Sequence, residues 1–511
     1  MSILGLDVGT TGCKAIAFSD QGEVLSHAYR EYAEQYPKPG WAELDPYEVW
    51  AKVKDAISEA AAKARSPVKA LSISTLGEAI TPIDKNGEAL CSTITSVDSR
   101  ARKQVEELAE RVGPLRIFEI TGQPLHSSYS LPKIMWLRDE RPDILKKTWK
   151  ILLCQDLMYY RLGLQPAIDH SLAGRSLALD IRERRWSDEM LTAARLDSGI
   201  LSEPRPSGEV IGEIPLSVAR QLGLERGVKV VTGGHDQPCC ALGAGVIEPG
   251  VGTDTTGTVE CMTISLSNPI LTADMLARNH PIYPHVAPGR YVVLAFVYTA
   301  GNILRWYRDN FAAEERQRAA ETGRDVYDLL VGTAAEGPTD VFLLPHFTGS
   351  GTPYLDADSR GAIIGLTLGT RPAHIIRAIL DGVAFEMRVN LQSVKDGGIP
   401  VDRLRAIGGG AKSDRWLQAK ADIVGIPIDA LDVSEAGCLG VAILAGTATG
   451  AFKSIEEACR ALVRPRKTFY PDPAKKHAYD EAFALYKGIY EQLKELNRSI
   501  SRFAAKLSAD K

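Results

Sequence analysis

Residues 7–12 read Asp7-Val8-Gly9-Thr10-Thr11-Gly12, and residues 254–258 read Asp254-Thr255-Thr256-Gly257-Thr258. Each stretch joins an acid to a Gly–Thr pair, with apolar runs on either side. A Gly- and Thr-rich turn between two strands offers backbone N–H groups and hydroxyls to an anion. The acid can hold a metal ion that neutralises the same anion. One such turn says little. Two, each opening a half of about 250 residues, predict a duplicated α/β fold that grips a nucleotide triphosphate between its halves. The dividing line is expected near residue 244, giving units 1–244 and 245–511.

The rest of the chain agrees with two large units. A length of 511 residues is too long for one core. A hydrophobic share of 45% and a charged share of 24% are ordinary globular values. The net charge of −4 points to neither nucleic acid nor a membrane surface. None of the eight cysteines forms a C-x-x-C pair, and no histidine spacing suits zinc. The adjacent Cys239 and Cys240 lie in an apolar run and are expected to be buried free thiols. The chain enters a strand at once, and no uncharged stretch reaches the ~18 apolar residues of a membrane span. A reducing cytoplasm is the expected location.

The first thirty residues predict a meander, with strands over Ile3–Leu6, Ala15–Phe18 and Val24–Ala28. Asp45 is placed to cap a helix that starts at Pro46. Further strands are expected over Ala70–Ser74, Val228–Thr232, Met262–Leu266, Tyr291–Ala295, Val341–Leu344 and Leu404–Ile407. Helical periodicity dominates from Arg100 to about residue 165. Gly243–Gly252, with four glycines and a proline, is the expected crossing between halves. Tyr479, Phe483, Tyr486, Tyr490 and Leu493 step by four and three and predict a helix with a buried stripe.

Two familiar nucleotide motifs are absent. Gly408–Ser413 is not a P-loop, because Ala411 rather than Gly precedes the lysine. Gly243–Gly252 does not spell G-x-G-x-x-G, because Glu248 takes the last glycine position. Asp236 is the sharpest single candidate. A strand is expected to end on Gly233-Gly234, and a carboxylate follows where ligands of open α/β sheets bind. The alternative for Asp236 is capping the next helix. For Asp7 the alternative is a turn-forming aspartate. Glu78, Asp98 and Arg100 follow apolar segments and suit a polyhydroxylated ligand; surface charge is their alternative reading.

At this point the residues resemble a family. Ser128–Glu140 (S-Y-S-L-P-K-I-M-W-L-R-D-E) looks like the first pattern of FGGY-type carbohydrate kinases. Gly361–Leu366 (G-A-I-I-G-L) and His374–Asp381 (H-I-I-R-A-I-L-D) look like the second. Pro39–Pro46, Gly351–Tyr354 and Gly408–Trp416 also resemble family blocks. The resemblance runs from about residue 3 to about residue 470. It implies two actin-like (ribonuclease H-like) α/β domains with a nucleotide cleft between them, ATP and Mg²⁺ as cofactors, and a small sugar as acceptor. It admits a homodimer.

The resemblance also implies roles. Asp7 would hold Mg²⁺, and Thr10, Thr11 and Lys14 would face the β- and γ-phosphates. Gly257 and Thr258 would hold the phosphates from the other domain. Gly301 and Arg305 would line the nucleotide pocket, with Gly409, Gly410 and Asp414 flanking adenine and ribose. Asp236 would be the base, with Glu78, Asp98 and Arg100 contacting the sugar. Pentulose kinases of the family often carry Met-His where this chain has Gly77-Glu78, and glycerol kinases carry Arg-Glu. Ser128 and Cys261 stand where glycerol kinases place aromatics, which implies a roomier pocket and a ketose such as a pentulose or hexulose. A polyol or glycerol acceptor, and a chaperone-like ATPase without sugar transfer, are the alternatives.

Overall fold

A computed structural model describes residues 2–433 and 435–509. The opening meander forms β1 (Ser2–Val8), β2 (Gly12–Ser19) and β3 (Val24–Glu31), each antiparallel to the next. β4 (Val68–Thr75) lies parallel to β1, and β5 (Lys229–His235) lies parallel to β4. The order is β5-β4-β1-β2-β3, with Val210–Glu213 antiparallel outside β5.

The second half repeats this order. β6 (Val251–Thr256), β7 (Glu260–Leu266) and β8 (Tyr291–Val297) form an antiparallel meander. β9 (Arg403–Gly408) runs parallel to β6, and β10 (Ile428–Leu431) runs parallel to β9. The order β10-β9-β6-β7-β8 is that of the first sheet, with extra edge strands at Pro465–Phe469 and Ile282–Pro284. The two quoted turns thus occupy equivalent places, after β1 and after β6.

β1 is covered on both faces, which explains its nearly unbroken apolar run. Side chains alternate across a strand. Leu4 and Leu6 join the core beneath helix α1 (Pro46–Ala64), whose Val49, Val53, Ile57 and Ala60 step by four, four and three. Asp45 caps α1 as expected, accepting from the Tyr47 and Glu48 N–H groups. On the other face Ile3 packs against a helix from the second half, α8 below.

The helices that position the site are α2 (Ser130–Glu140), α3 (His170–Gly174), α4 (Asp236–Gly243), α5 (Gly301–Phe311), α6 (Pro372–Asp396), α7 (Asp414–Val424), α8 (Ala436–Ala448) and α9 (Lys476–Ala509). α8 lies against β1 and α4 almost backbone to backbone. A methyl added at Gly5 would stand 2.2 Å from the Cys438 carbonyl oxygen, and one at Gly243 would stand 1.9 Å from that of Ala436. The halves therefore share a core where the chain crosses between them. Cys239 is a buried free thiol in that core; Cys240, also free, is only partly buried.

Two expectations need adjustment. The stretch from Arg100 to residue 165 is mostly helical, interrupted by a loop over 122–129 and by a short strand, Lys150–Leu152, paired with Thr81–Ile83. β5 does not stop at its glycines but continues through His235, with a register shift between Val231 and Gly234. Gly233 serves close approach to β4: a methyl there would stand 2.0 Å from the Ile73 carbonyl oxygen. The tyrosine stripe of α9 is buried against α6, with Phe385 stacked on Phe483 and Tyr486. Among the described residues no helix is long and apolar enough to cross a membrane.

Candidate active site

The parallel strands β1, β4 and β5 deliver three carboxylates to one edge of the first sheet. Asp7 is the penultimate residue of β1, Glu78 follows β4, and Asp236 follows β5. This is the carboxyl end of the strands, where open α/β sheets bind ligands. The turn after β1 is closed by the Gly9 N–H donating to the Gly12 carbonyl at 2.9 Å. The Tyr32 hydroxyl braces it, donating to the Gly9 carbonyl at 2.7 Å. Thr10 and Thr11 sit on this turn, Thr11 exposed. Asp7 is half-buried and accepts from the Ser74 hydroxyl at 2.8 Å; burial raises its pKa.

Asp236 is the first residue of α4, and His235 occupies the cap position without a side-chain cap bond. The capping alternative therefore fails. Its Oδ1 makes no hydrogen bond. Burial, helped by the charges of Asp7 and Glu78, pushes its pKa up to about 7. A carboxylate poised there is suited to base work at neutral pH.

Glu78 sits at φ +60°, a left-handed conformation uncommon for a residue with a side chain. The Arg175 guanidinium donates to its carboxylate at 2.6 Å and to the Gln123 side-chain oxygen at 2.9 Å. The guanidinium carbon also stands 5.1 Å from the ring centres of both Tyr129 and Tyr283. The Glu78 carbonyl accepts from Ser130 at 3.0 Å and from Lys133 at 3.3 Å. Burial lowers the Lys133 pKa to about 7. Local backbone strain is thus held by an ion pair and two side-chain donors.

Asp98 and Arg100 differ from expectation. The Asp98 carboxylate accepts from Arg100 at 2.6 Å and from the Ala42 N–H at 2.7 Å. Arg100 also reaches Glu43 at 2.7 Å and stacks 3.7 Å from the Trp41 ring centre. Both side chains are buried and pair with each other. Lys14 is turned as well: its ammonium pairs with Glu435 at 2.7 Å, an ion pair across the two halves.

The second half builds a cleft of about 370 Å³. Gly257, Thr258, Gly301, Arg305, Gly409 and Gly410 line it together, joined by Asp325, Tyr327, Lys412 and Ser413. Gly301 starts α5 directly behind the turn; a methyl there would stand 2.4 Å from the Gly257 carbonyl oxygen. A helix start and a Gly–Thr turn suit phosphate. Asp414 does not line the cleft. Its carboxylate is held by Arg466 at 2.8 Å and Lys467 at 2.9 Å.

Asp254, the counterpart of Asp7, is also corrected. It is wholly buried, and the Lys420 ammonium lies 2.9 and 3.0 Å from its two oxygens. Lys420 also reaches Glu260 at 2.8 Å. A carboxylate so neutralised by a lysine is not a metal ligand.

Residues 2–243 match the N-terminal domain of the FGGY family of carbohydrate kinases, and residues 254–449 match its C-terminal domain. The chain belongs to this family. The FGGY relatives include a xylulose kinase from Bacillus subtilis, 27% identical over 98% of this chain and 99% of its own. An autoinducer-2 kinase from Salmonella typhimurium is 31% identical over 97% of this chain and 95% of its own. A ligand-bound xylulose kinase from Lactobacillus acidophilus shares the fold with a TM-score of 0.87 at 24% identity, over 96% of this chain and 98% of its own.

As an FGGY kinase the protein is an ATP-dependent phosphotransferase that uses Mg²⁺. The residues fit the ion. Among the described residues no three metal-ligating side chains cluster. Mg²⁺ on a nucleotide asks only for one or two carboxylates, with phosphates and water completing its shell. Asp7 on the phosphate turn, within electrostatic range of Asp236, meets that demand.

Sequence reasoning assigned no role to Arg175, Tyr283, Lys133 or His235. Lys133 stood inside the Ser128–Glu140 motif, and His235 directly precedes Asp236. Arg175 and Tyr283 carry no local signal, because the fold alone brings them from distant segments to Glu78.

Proposed function

We propose that this kinase transfers the γ-phosphoryl group of ATP to a terminal primary hydroxyl of a ketose, a pentulose or hexulose. The observation that carries this reading is the Asp236 carboxylate. Its Oδ1 makes no hydrogen bond, and it stands at the strand end within electrostatic range of Asp7, Glu78 and Arg175.

Phosphoryl transfer passes through a loose transition state, so catalysis is mostly positioning and charge neutralisation. The turn at Thr10 and Thr11 and the turn at Gly257 and Thr258 would hold the phosphates from opposite sides. Arg305, Gly409 and Gly410 would line the adenosine cleft. Asp7 would hold Mg²⁺, which would supply positive charge to the phosphate oxygens. The acceptor oxygen forms a bond to the γ-phosphorus as the bond to the β–γ bridging oxygen breaks, and ADP leaves. Asp236 orients the hydroxyl and takes its proton late, when bond formation has made it acidic. Glu78 and Arg175 offer acceptors and donors to adjacent hydroxyls.

A primary hydroxyl is the least crowded nucleophile on a sugar. Small Cys261 within electrostatic range of Asp236 supports an acceptor larger than glycerol. ATP turnover assayed with ketopentoses, ketohexoses, polyols including glycerol, and sugar acids tests the reading. Turnover should require a ketose. ATP hydrolysis independent of acceptor, or glycerol as the best acceptor, would overturn it.

A further inference from the structure

The residue before Asp236 is a histidine that neither the family roles nor the mechanism above employs. His235 is buried at the end of β5. Its Nδ1 lies 2.9 Å from the Tyr283 hydroxyl, and its Nε2 lies 3.1 Å from Asp236 Oδ1. That oxygen otherwise has no partner. The Tyr283 ring meets the imidazole edge-on, with centroids 5.6 Å apart.

Gly77 explains how the imidazole fits. A methyl added at Gly77 would stand 2.8 Å from His235 Cδ2 and 2.9 Å from Nε2. A real Cβ does not tolerate such distances, so the imidazole fills the space that a side chain at position 77 would need. The choice of tautomer follows from hydrogen-bond bookkeeping. Burial, aided by the charge of Arg175, keeps the imidazole neutral, with one proton. An ionised carboxylate only accepts, so the proton facing Asp236 belongs on Nε2. Nδ1 then accepts from the Tyr283 hydroxyl.

We propose that His235 is a positioning residue for phosphoryl transfer: braced by Tyr283 and admitted by Gly77, it fixes Asp236 Oδ1 and leaves Oδ2 to the acceptor hydroxyl. The inference rests on Asp236 being the base. The 3.1 Å contact is off-line in the free enzyme, as catalytic hydrogen bonds commonly are before substrate tightens them. Positioning of this kind raises kcat and leaves nucleotide binding alone, since Tyr283, His235 and Asp236 are not among the residues that line the cleft of the second half.

The test is steady-state kinetics on single and double variants with the best ketose of the panel. His235→Ala should lower kcat by about ten-fold or more, with KM for ATP unchanged, because loosened positioning costs on that order. His235→Gln keeps a donor near the Nε2 position and should recover to within about three-fold of the parent. Tyr283→Phe should fall between the two. Gly77→Ala should displace the imidazole and match His235→Ala. In the His235→Ala background it should lower kcat no further, the non-additivity of two changes acting through one group. If His235→Ala fails to fold, the Gln variant and Gly77→Ala decide. Asp236→Asn is measured alongside. An inactive Asp236→Asn with His235→Ala within about two-fold of parent kcat, or full multiplication of the Gly77 and His235 effects, overturns the inference alone. An active Asp236→Asn overturns the base assignment and this inference with it.

Discussion

Lys420→Met removes the one cation that touches Asp254 among the described residues. The lysine is wholly buried, with its ammonium 2.9 and 3.0 Å from the Asp254 oxygens and 2.8 Å from Glu260. Burial and the charge of Asp254 push the Glu260 pKa far up. Lys420 holds the Asp254 pKa down against burial. Without it, Asp254 either stays charged in the core or takes a proton from solvent. At neutral pH the second route costs about three pKa units from an ordinary aspartate, or ~4 kcal/mol. Breaking buried pairs of this kind typically costs ~3–5 kcal/mol. We expect a loss of ~3–4 kcal/mol in urea unfolding followed by tryptophan fluorescence.

The pH dependence carries the sign. In the parent, Asp254 contributes stability that is full above its unfolded pKa and is lost as pH falls through the lower folded value. In the variant that contribution is gone. The gap between the two proteins should therefore narrow in acid, by ~1.4 kcal/mol for each unit of pH below neutral until the ordinary carboxylate range is reached. Adding Asp254→Asn to Lys420→Met should recover most of the loss. A deficit under ~1 kcal/mol, a gap that widens in acid, or tighter Mg²⁺ use by the variant would refute the view of Asp254 as a structural ion-pair partner.

Other outcomes follow from the same geometry. Asp7→Ala should weaken Mg²⁺-dependent ATP use in a steady-state metal titration while leaving the circular dichroism spectrum unchanged, since Asp7 sits at a strand end and its carboxylate bonds only Ser74 among the described residues. The kcat/KM for the acceptor should rise with pH through a value of about 7, because Asp236 must lose its proton to act as base and its folded pKa is raised to that value. The same upward shift means that ionised Asp236 costs stability, so Asp236→Asn should unfold at higher urea than the parent above neutral pH. Glu78→Ala should damage kcat/KM for the sugar by up to ~10⁴-fold, since it leaves buried Arg175 without its carboxylate, and should spare KM for ATP.

The duplication was legible because it is written in local chemistry. An acid, a Gly–Thr turn and flanking apolar runs recur, and both sheets repeat one strand order around them. The meander, the α1 cap and the α9 stripe were legible for the same reason: period and capping are short-range properties. Asp236 was singled out from the residues, although its strand passes through Gly233 and Gly234 instead of stopping there. What failed depended on long-range pairing. Asp254 looks like Asp7 in sequence, and only Lys420, 166 positions later, makes it structural. Asp98 and Arg100 look like open ligands until Glu43 and Trp41 are folded against them. Asp414 lies next to cleft-lining Ser413, and its fate is set by the distant Arg466 and Lys467.

The central claim is that Asp236 is the base of a sugar phosphotransferase. Single-turnover phosphoryl transfer by Asp236→Asn, with ATP, Mg²⁺ and the best ketose, tests it most directly when nucleotide affinity is measured on the same sample. The account predicts a loss of ~10²–10⁴-fold in the transfer rate with ATP affinity retained, the usual effect of removing a positioned base. Transfer within a few-fold of the parent rate would contradict it.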